Sequence, residues 1–356
     1  MKRRLMFVVP SLRGGGAEKV MVTLLKYLDR SKFTLILVLL SKEGKYIDDI
    51  PNDVETIDLK AVRVRHSFIS LVKVIRKVKP DVVFSTQGHL NIGMIALKPF
   101  IGKRTKLIVR EANTVSEIVK IAPKPKVWRM LYKFFYRRAD VVICQSKYMM
   151  EDLLVNFKIP TEKLCHIYNP VDIKRIEKLS QIDSNPFERS KASINVVAVG
   201  RLVYQKGFDR LIESVPKLME CIPDAKLWII GEGDLKEELV KKRDDFGLSK
   251  KIELIDFQEN PYKWLKNADL FVLPSYYEGL PNVLLEAIAC ECPVIALEHP
   301  GGTKEIMEIT GQEDRYIQSF DWQQAWLAKP DGNIKDLLSN KFQVSRIVKE
   351  YESQFI

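Results

Sequence analysis

The sequence lacks a long apolar run and has few cysteines. No stretch of about 18 apolar residues occurs, which is the length that a membrane-spanning helix needs. The apolar run near the amino terminus, residues 5–10, is too short for a signal peptide and indicates a first buried strand. The five cysteines are odd in number, and Cys290 and Cys292 have no second pair at metal-site spacing. We therefore expect no transmembrane helix, no zinc site, and free thiols in a reducing cytoplasm.

Several motifs of other protein classes are absent. Gly14-Gly15-Gly16 is not a dinucleotide-binding fingerprint, because the pattern Gly-x-Gly-x-x-Gly is absent here. No Asp-x-Asp at a strand end suggests a pyrophosphate held by a metal ion. No helix-turn-helix, zinc-finger or RNP-like signature is present, which argues against nucleic acid as a partner. The expected site therefore has neither a metal nor an organic cofactor.

Positive charge is concentrated in the first half of the chain. The net charge is +11, yet residues 1–172 contain 32 Lys and Arg against 16 Asp and Glu, a surplus of +16. The remaining residues carry −5. This asymmetry predicts that the first half meets an anionic partner, and an anionic membrane surface fits better than nucleic acid.

Apolar strand patterns alternate with helical patterns along the whole chain. Strands of the first half are expected at residues 5–10, 33–40, 81–85, 106–110 and 140–144. Those of the second half are expected at residues 194–199, 225–231, 251–257, 269–273 and 293–297. Alternation of this kind predicts an α/β fold with doubly wound parallel sheets.

The length suggests two such domains, facing each other across a cleft at the carboxyl ends of their strands. The predicted domains are residues 1–170 and residues 171–341. A polar stretch at residues 180–193 is interpreted as the linker. An amphipathic helix at residues 342–356 closes the chain and is a candidate to pack back on the first domain.

Two glutamates bracket a potential anion site after the strand at residues 269–273. Glu278 lies in a glycine turn, and Glu286 lies about one turn inside a helix predicted to begin at Pro281. A helix N-terminus offers N–H groups to a phosphate, while carboxylates accept hydrogen bonds from sugar hydroxyls. A capped helix with two solvated acids is the alternative.

Two cations follow the strand at residues 194–199. Arg201 and Lys206 lie in one loop, between Gly200 and Gly207. An Arg fork and a Lys ammonium together neutralise a departing diphosphate without a metal. Exposed surface cations are the alternative interpretation. Gly14-Gly15-Gly16 also has two interpretations. It either lets backbone N–H groups approach a ligand or forms a flexible turn.

The ordered set of motifs resembles the glycosyltransferase family 4 enzymes, whose two-domain fold is called GT-B. The shared motifs are Gly14-Gly15-Gly16-Ala17-Glu18, Gly200-Arg201-Leu202-Val203, Gln205-Lys206-Gly207, Glu278-x7-Glu286, Pro293-Val294-Ile295-Ala296 and Gly301-Gly302 with Glu305. The resemblance covers nearly the whole chain. It implies a retaining, metal-independent transfer of a sugar from a nucleotide donor, usually a UDP-sugar.

The resemblance implies that residues 1–170 form the acceptor-binding domain and residues 171–341 the nucleotide-sugar-binding domain. It also implies roles for individual residues. Arg201 and Lys206 would hold the diphosphate and stabilise its departure. Glu278 would contact donor sugar hydroxyls, and Glu286 would contact the ribose. Further donor contacts would come from Gly15, Gly16, Gly279, Leu280, Asn282 and Val283.

One position departs from the family pattern. Many relatives carry a histidine after the fifth strand of the first domain, where this chain has Ala112. The acceptor-side role of that histidine therefore does not transfer. Glu111 or Asn113 is a candidate to orient the acceptor, although Asn113 could equally cap a helix. His89 is a weaker candidate, because lone histidines are more often structural.

A basic, aromatic segment spans residues 123–138 and fits a helix lying on an anionic bilayer. A second basic segment spans residues 60–79. The alternative is ordinary helices with buried aromatics and solvated charges. Membrane contact suits a polyprenyl-diphosphate-linked glycan or another lipid-linked acceptor.

The predicted function is that of a retaining UDP-sugar-dependent glycosyltransferase, of the hexosyl or N-acetylhexosaminyl type. It would extend a lipid-linked oligosaccharide, lipopolysaccharide, capsule or O-antigen precursor. Its predicted location is cytoplasmic and peripheral, on the inner face of the cytoplasmic membrane. A nucleotide-sugar isomerase or phosphorylase and a non-catalytic nucleotide-sugar-binding protein on the same fold are the alternatives.

Overall fold

The computed structural model describes residues 2–61, 64–182, 185–188, 194–320, 322 and 333–356. The chain forms two compact units. Unit 1 consists of Met1–Pro170 together with Val344–Ile356, and unit 2 consists of Val171–Gln343.

Unit 1 is built on one parallel sheet. Its strands are β1 (Arg3–Val9), β2 (Phe33–Leu39), β3 (Glu55–Asp58), β4 (Val82–Thr86), β5 (Lys106–Arg110), β6 (Val141–Cys144) and β7 (Leu164–His166). Its helices are α1 (Gly16–Tyr27), α2 (Val64–Val78), α3 (Gly88–Leu97), α4 (Val115–Ile121), α5 (Pro125–Tyr136), α6 (Lys147–Phe157) and a last helix, Val344–Phe355. The strand order is β3-β2-β1-β4-β5-β6-β7. Two clusters of buried apolar residues form its core, as expected for a sheet covered on both faces.

Unit 2 repeats this plan with six described strands. They are β8 (Ile194–Val199), β9 (Ala225–Ile230), β10 (Ile252–Ile255), β11 (Leu270–Leu273), β12 (Val294–Leu297) and β13 (Tyr316–Ile317). Its helices are α7 (Ile173–Ser180), α8 (Phe208–Cys221), α9 (Lys236–Asp245), α10 (Tyr262–Asn267), α11 (Asn282–Ala289), α12 (Thr303–Ile309) and α13 (Ile334–Phe342), so the last helix of the chain is α14. The order β10-β9-β8-β11-β12-β13 is again parallel throughout.

Each sheet has a point where the strand order reverses. The reversal lies between β1 and β4 in unit 1 and between β8 and β11 in unit 2. Loops leaving neighbouring strands diverge there, so the carboxyl ends of these strands form the usual ligand crevice of an open α/β sheet. The prediction of two doubly wound parallel sheets is confirmed.

Several local predictions need correction. Residues 180–193 were interpreted as a linker, but the described part of this stretch, residues 180–182 and 185–188, lies within unit 2, where Phe187 packs against Trp228 and Trp264. Helix α11 begins at Asn282, and Pro281 is its N-cap in extended conformation rather than its first helical residue. The closing helix begins at Val344 and ends at Phe355, because Phe342 is the last residue of the preceding helix and Gln343 forms a β-bridge with Val171.

Helix α14 completes the core of unit 1. The rings of Tyr351 and Phe355 pack against Phe84, at centroid distances of 5.9 and 5.2 Å. The Tyr351 hydroxyl also accepts a hydrogen bond of 3.1 Å from Nε of the buried Arg110. Unit 1 therefore needs this segment, which follows the whole of unit 2 in the sequence.

The region at residues 310–340 carries few family motifs, yet it contributes to the core of unit 2. Trp322 is buried, and its indole N–H donates to the carbonyl of Ser214 at 3.0 Å. Trp326 lies outside the described residues. Across the described ranges, every helix is too short or too polar to cross a membrane.

Candidate active site

Two loops meet at the strand reversal of unit 2. The loop after β8 covers residues 200–207, and the loop after β11 covers residues 274–281. The structure brings Lys206 from the first loop to Glu278 from the second, with Nζ lying 2.6 Å from Oε1. Both side chains are largely buried, at 15% and 6% exposure. A buried pair of this kind is sensitive to loss of either partner, because the remaining charge is left uncompensated.

Neutral donors orient the Glu278 carboxylate further. The Ser275 hydroxyl donates to Oε1 at 2.7 Å, and the Gln205 amide donates to Oε2 at 3.0 Å. The same Gln205 amide also reaches the carbonyl of Tyr277 at 3.1 Å. The carboxylate is therefore held in one orientation by groups from both loops. Gln205 lies within one of the sequence motifs but had no predicted role, and Ser275 was not predicted to belong to the site.

Gly207 allows the two loops to approach each other. Its φ of +63° is left-handed, and a Cβ at this position would lie 2.0 Å from the carbonyl oxygen of Pro274. The backbone N–H of Tyr276 also donates to the carbonyl of Gln205 at 2.8 Å. Both the conformation and the close contact require glycine here.

Arg201 has a different environment from Lys206. Its side chain is exposed and, among the described residues, has no hydrogen bond or ion pair. It lies in the same loop as Lys206, so the structure places both predicted cations at one edge of the sheet. Contact of either cation with a diphosphate stays a prediction.

The N-terminus of α11 follows the Glu278 turn directly. The predicted backbone contacts Gly279 and Leu280 are buried just before it, and Asn282 and Val283 are its first two residues. The first N–H groups of a helix have no acceptor within the helix, so this end favours an anion. Glu286 lies one turn further along and is only 9% exposed.

A third loop, after β12, supports the Glu278 turn. The N–H of Glu278 donates to the carbonyl of Pro300 at 3.0 Å, and that of Gly302 donates to Gly279 at 2.8 Å. Gly301 has φ +137°, and a Cβ there would lie 2.2 Å from the Glu278 carbonyl oxygen. The glycine pair noted in the sequence therefore packs directly against the turn.

His299 belongs to this loop and was missed by the sequence analysis. Its Nδ1 lies 2.7 Å from the carbonyl of Leu297, and its Nε2 lies 2.7 Å from the Thr303 hydroxyl. Burial lowers the pKa of His299 to about 4. The ring is neutral at pH 7, with Nδ1 donating to the carbonyl and Nε2 accepting from the hydroxyl. It thus tethers the third loop to α12.

In unit 1, the first turn of α1, directly after the glycine loop that follows β1, contacts the loop after β4. Gly15 is the N-cap of α1 and Gly16 its first residue, while the Glu18 carboxylate lies over Gly15. Gln87, with an unusual φ of +77°, donates from its amide to Glu18 at 2.9 Å. His89 follows and meets Trp128 edge-on at 4.4 Å. The structure brings Gly15 and Gly16 to the strand reversal of this unit.

Glu111 is fully buried beneath the carboxyl end of β5. Its Oε1 accepts hydrogen bonds from the Tyr136 hydroxyl and, at 3.1 Å, from the Asn91 amide. Burial raises the pKa of Glu111 to about 8, so the side chain is mostly protonated at pH 7. Asn113 is half-buried and accepts from the N–H of Thr114 at 3.0 Å. A role of either residue toward an acceptor stays a prediction.

No metal-binding cluster is formed by the described residues, taken as three or more His, Cys, Asp or Glu side chains. The described cysteines are all free thiols. Independence from metal ions stays a prediction for experiment.

The chain matches known proteins along most of its length. The model of Glycosyltransferase Family 4 matches residues 14–175, and that of Glycosyl transferases group 1 matches residues 181–337. The N-acetylgalactosamine-N,N'-diacetylbacillosaminyl-diphospho-undecaprenol 4-alpha-N-acetylgalactosaminyltransferase of Campylobacter jejuni is 30% identical over 85% of this chain and 83% of its own length. An uncharacterised glycosyltransferase of Methanocaldococcus jannaschii is 34% identical over 67% of this chain, an alignment that spans 60% of the archaeal protein.

Similarity extends to solved structures. The crystal structure of Anabaena HepE in complex with UDP and glucose aligns over 99% of both chains, with a TM-score of 0.76 and 19% identity. Two doubly wound units with these similarities define a glycosyltransferase of the GT-B fold. The chain belongs to glycosyltransferase family 4.

Proposed function

We propose that the protein transfers a sugar, with retention of configuration, from a UDP-sugar to a lipid-linked glycan precursor. The Lys206–Glu278 pair carries this proposal, since it places a cation and an oriented carboxylate beside the N-terminus of α11. A nucleotide sugar presents an anionic diphosphate between two groups of hydroxyls. Lys206 and the N-terminus of α11 suit the diphosphate, and the carboxylate of Glu278 suits the hydroxyls beside it.

In the proposed complex, Lys206 and Arg201 bind the diphosphate. Negative charge grows on this group as the glycosidic bond breaks, and fixed cations stabilise it more in the transition state than in the ground state. Lys206 has three N–H donors, so it can bind an anion while keeping its contact with Glu278. This arrangement supplies the charge stabilisation without requiring a metal ion.

Glu278 and Glu286 accept hydrogen bonds in the proposed complex. The orientation of Glu278 by Ser275 and Gln205 suits a carboxylate that selects hydroxyls of the donor sugar. Glu286, one turn inside α11, would accept from the ribose. The structures of Anabaena HepE with UDP support the choice of uridine, and the Campylobacter relative supports an undecaprenyl-diphosphate-linked acceptor.

Nucleotide titration tests the donor. We expect UDP to bind in calorimetry without added metal and to bind equally in the presence of a chelator. GDP and ADP should bind at least about tenfold more weakly, because a base pocket that uses hydrogen bonds rejects the wrong pattern of donors. Absence of binding for all three nucleotides would contradict the proposed function.

A surface of unit 1 supports peripheral binding to the inner face of the cytoplasmic membrane. Val127, Met130 and Phe134 lie on one face of α5 and are 44%, 62% and 54% exposed. We call these three residues the α5 ridge. The opposite face of the helix packs inward through Tyr132 and Tyr136, which are buried. Some aromatics of this segment therefore belong to the core, while an apolar row remains exposed, and its contact with a bilayer is part of the proposal.

Cations flank the α5 ridge. The side chains of Lys126 and Lys133 are exposed and, within the described part of the chain, make no hydrogen bond or ion pair. Arg129 and Arg137 are instead engaged with the carbonyls of Asn156 and Lys158. An exposed apolar row with unengaged lysines fits an interfacial helix on anionic lipid.

Vesicle binding tests this surface. Lys126→Gln with Lys133→Gln should weaken binding to phosphatidylglycerol-containing vesicles roughly thirtyfold at low salt, since each lysine contributes about 1 kcal/mol near an anionic surface. Met130→Gln with Phe134→Gln should weaken binding at every salt concentration, because apolar insertion is not screened. Phe246→Gln is the matched control, since Phe246 is 47% exposed but lies in unit 2. Undiminished binding by both double variants would disprove the α5 contact.

A further inference from the structure

The segment leading to Glu278 is held by the side chain of Arg210, which lies outside the motifs shared with the family. Arg210 lies in the first turn of α8. Its Nε donates to the carbonyl of Pro274 at 2.6 Å, and its Nη2 donates to the carbonyl of Ser275. One planar group thus holds two consecutive carbonyls, which fixes the direction of the backbone as it leaves β11.

The next residue, Tyr276, is held by the same helix turn. The guanidinium carbon of Arg210 lies 4.5 Å from the centre of its ring, and its hydroxyl donates to Asp209 at 2.7 Å. The ring also stacks on Tyr204, at 4.6 Å and 13° between planes. Contacts through both the ring and the hydroxyl leave Tyr276 little freedom to rotate.

These contacts reach Glu278 through Ser275. Arg210 holds the Ser275 carbonyl, and the Ser275 hydroxyl donates to Oε1 of Glu278 at 2.7 Å. Movement of this backbone would move the donor that orients the carboxylate. We propose that Arg210 is a positioning residue for Glu278, a role that rests on the proposed function of Glu278 toward the donor sugar.

The geometry separates this role from a general electrostatic one. Arg210 is half-buried, and its Nε and Nη2 donors are directed at backbone carbonyls. A lysine keeps the positive charge but cannot serve two carbonyls with a planar fork or stack in the same way on Tyr276. Arg210→Lys therefore removes the positioning contacts while retaining the charge.

The experiment compares the wild-type protein with Arg210→Lys, Glu278→Gln and the double variant. Probes are UDP and whichever of UDP-glucose, UDP-galactose, UDP-N-acetylglucosamine and UDP-N-acetylgalactosamine the wild type binds best. We expect Arg210→Lys to lower kcat roughly tenfold to a hundredfold, because small misplacements of an active-site group have effects of this size. The Kd of UDP, which lacks the sugar, should change less than about twofold.

The double variant identifies the path of the effect. The measured quantity is the ratio of the Kd of UDP to the Kd of the UDP-sugar, which reports contacts to the sugar alone. If Arg210 acts through Glu278, the double variant has the same ratio as Glu278→Gln, since coupled effects are not additive. If the two substitutions lower this ratio by factors that multiply in the double variant, the residues act independently and the inference is overturned. A kcat of Arg210→Lys equal to that of the wild type would also overturn it.

Two further variants distinguish a loss of positioning from a loss of folding. Lys217→Met alters an exposed cation on the same helix and should leave kcat and thermal stability unchanged. If Arg210→Lys does not fold, Tyr276→Leu replaces it, since this change removes the ring from the guanidinium. It should also lower kcat with an unaltered Kd for UDP, and a wild-type kcat would overturn the inference. Absence of UDP binding by the wild type would instead overturn the proposed function and this inference together.

Discussion

Replacing Lys206 by alanine should lower kcat for sugar transfer by roughly a hundredfold to a thousandfold, the effect of removing one group that stabilises transition-state charge. Its ammonium is the largely buried cation of the site, 2.6 Å from Glu278, whereas Arg201 is solvent-exposed. A buried cation is screened less by water, so it contributes more than an exposed one. Initial rates at saturating concentrations of the UDP-sugar that binds best and of an undecaprenyl-diphosphate-linked acceptor give kcat.

The same substitution has a cost in stability that the sequence alone did not suggest. Without Lys206, the buried Glu278 retains Ser275 and Gln205 as donors but loses its ion-pair partner. Lys206→Met combined with Glu278→Gln avoids that unpaired charge, and a thermal melt shows whether folding recovers while activity does not. A kcat within about threefold of the wild type would remove Lys206 from the mechanism.

A lysine elsewhere in unit 2 provides the matched control. Lys226 also forms an ion pair, with Glu253 at 2.5 Å, and its ammonium lies 4.0 Å from the Trp228 ring centre. Lys226→Ala therefore removes a paired and partly buried lysine that has no proposed catalytic role. It should leave kcat unchanged, which would separate the effect of Lys206 from the loss of any ion pair.

Gly207→Ala should destabilise unit 2 by several kcal/mol and abolish transfer. A left-handed alanine alone costs about 1–2 kcal/mol. The added Cβ would also lie 2.0 Å from the carbonyl oxygen of Pro274, so the two loops would have to separate. Because Lys206 and Glu278 come from these two loops, their contact would be lost as well.

Gly247 separates the two contributions. Its φ is +67°, close to the +63° of Gly207, but a Cβ there would have no heavy atom within 4 Å. Gly247→Ala should therefore lower the melting temperature by only about 2–8 °C, the shift that about 1–2 kcal/mol causes in a domain of this size. Differential scanning calorimetry of both variants makes the comparison. Equal shifts would show that the loops can separate at no cost.

The long strands and their order along the chain were predictable because a parallel sheet buries continuous apolar runs. Strand β5 and strand β8 have the predicted bounds, residues 106–110 and 194–199. Strands β3, β7 and β13 were not predicted. They have two to four residues, mostly half-buried, and each lies at an edge of its sheet. Such strands depend on pairing with a neighbour, which leaves little trace in their own sequence.

Part of the candidate site was also predictable, because motif residues at strand ends meet at one edge of a parallel sheet. Lys206 and Glu278 are 72 positions apart in the sequence, and their contact follows from that rule. The support by Gln205, Ser275 and Arg210 depends on side-chain directions within two loops, which sequence patterns do not specify. Glu111 illustrates the same limit, since its position after a strand suggested access to an acceptor and the structure buries it.

The composition of unit 1 has a consequence for synthesis of the protein. A ribosome releases residues 1–170 first, then all of unit 2, and only afterwards α14. Until that moment Phe7, Phe84 and the buried Arg110 lack the partners that Tyr351 and Phe355 provide. Unit 2 can therefore be complete before unit 1, although unit 1 begins earlier in the chain. A nascent chain stalled before residue 344 would expose an aromatic surface that chaperones recognise.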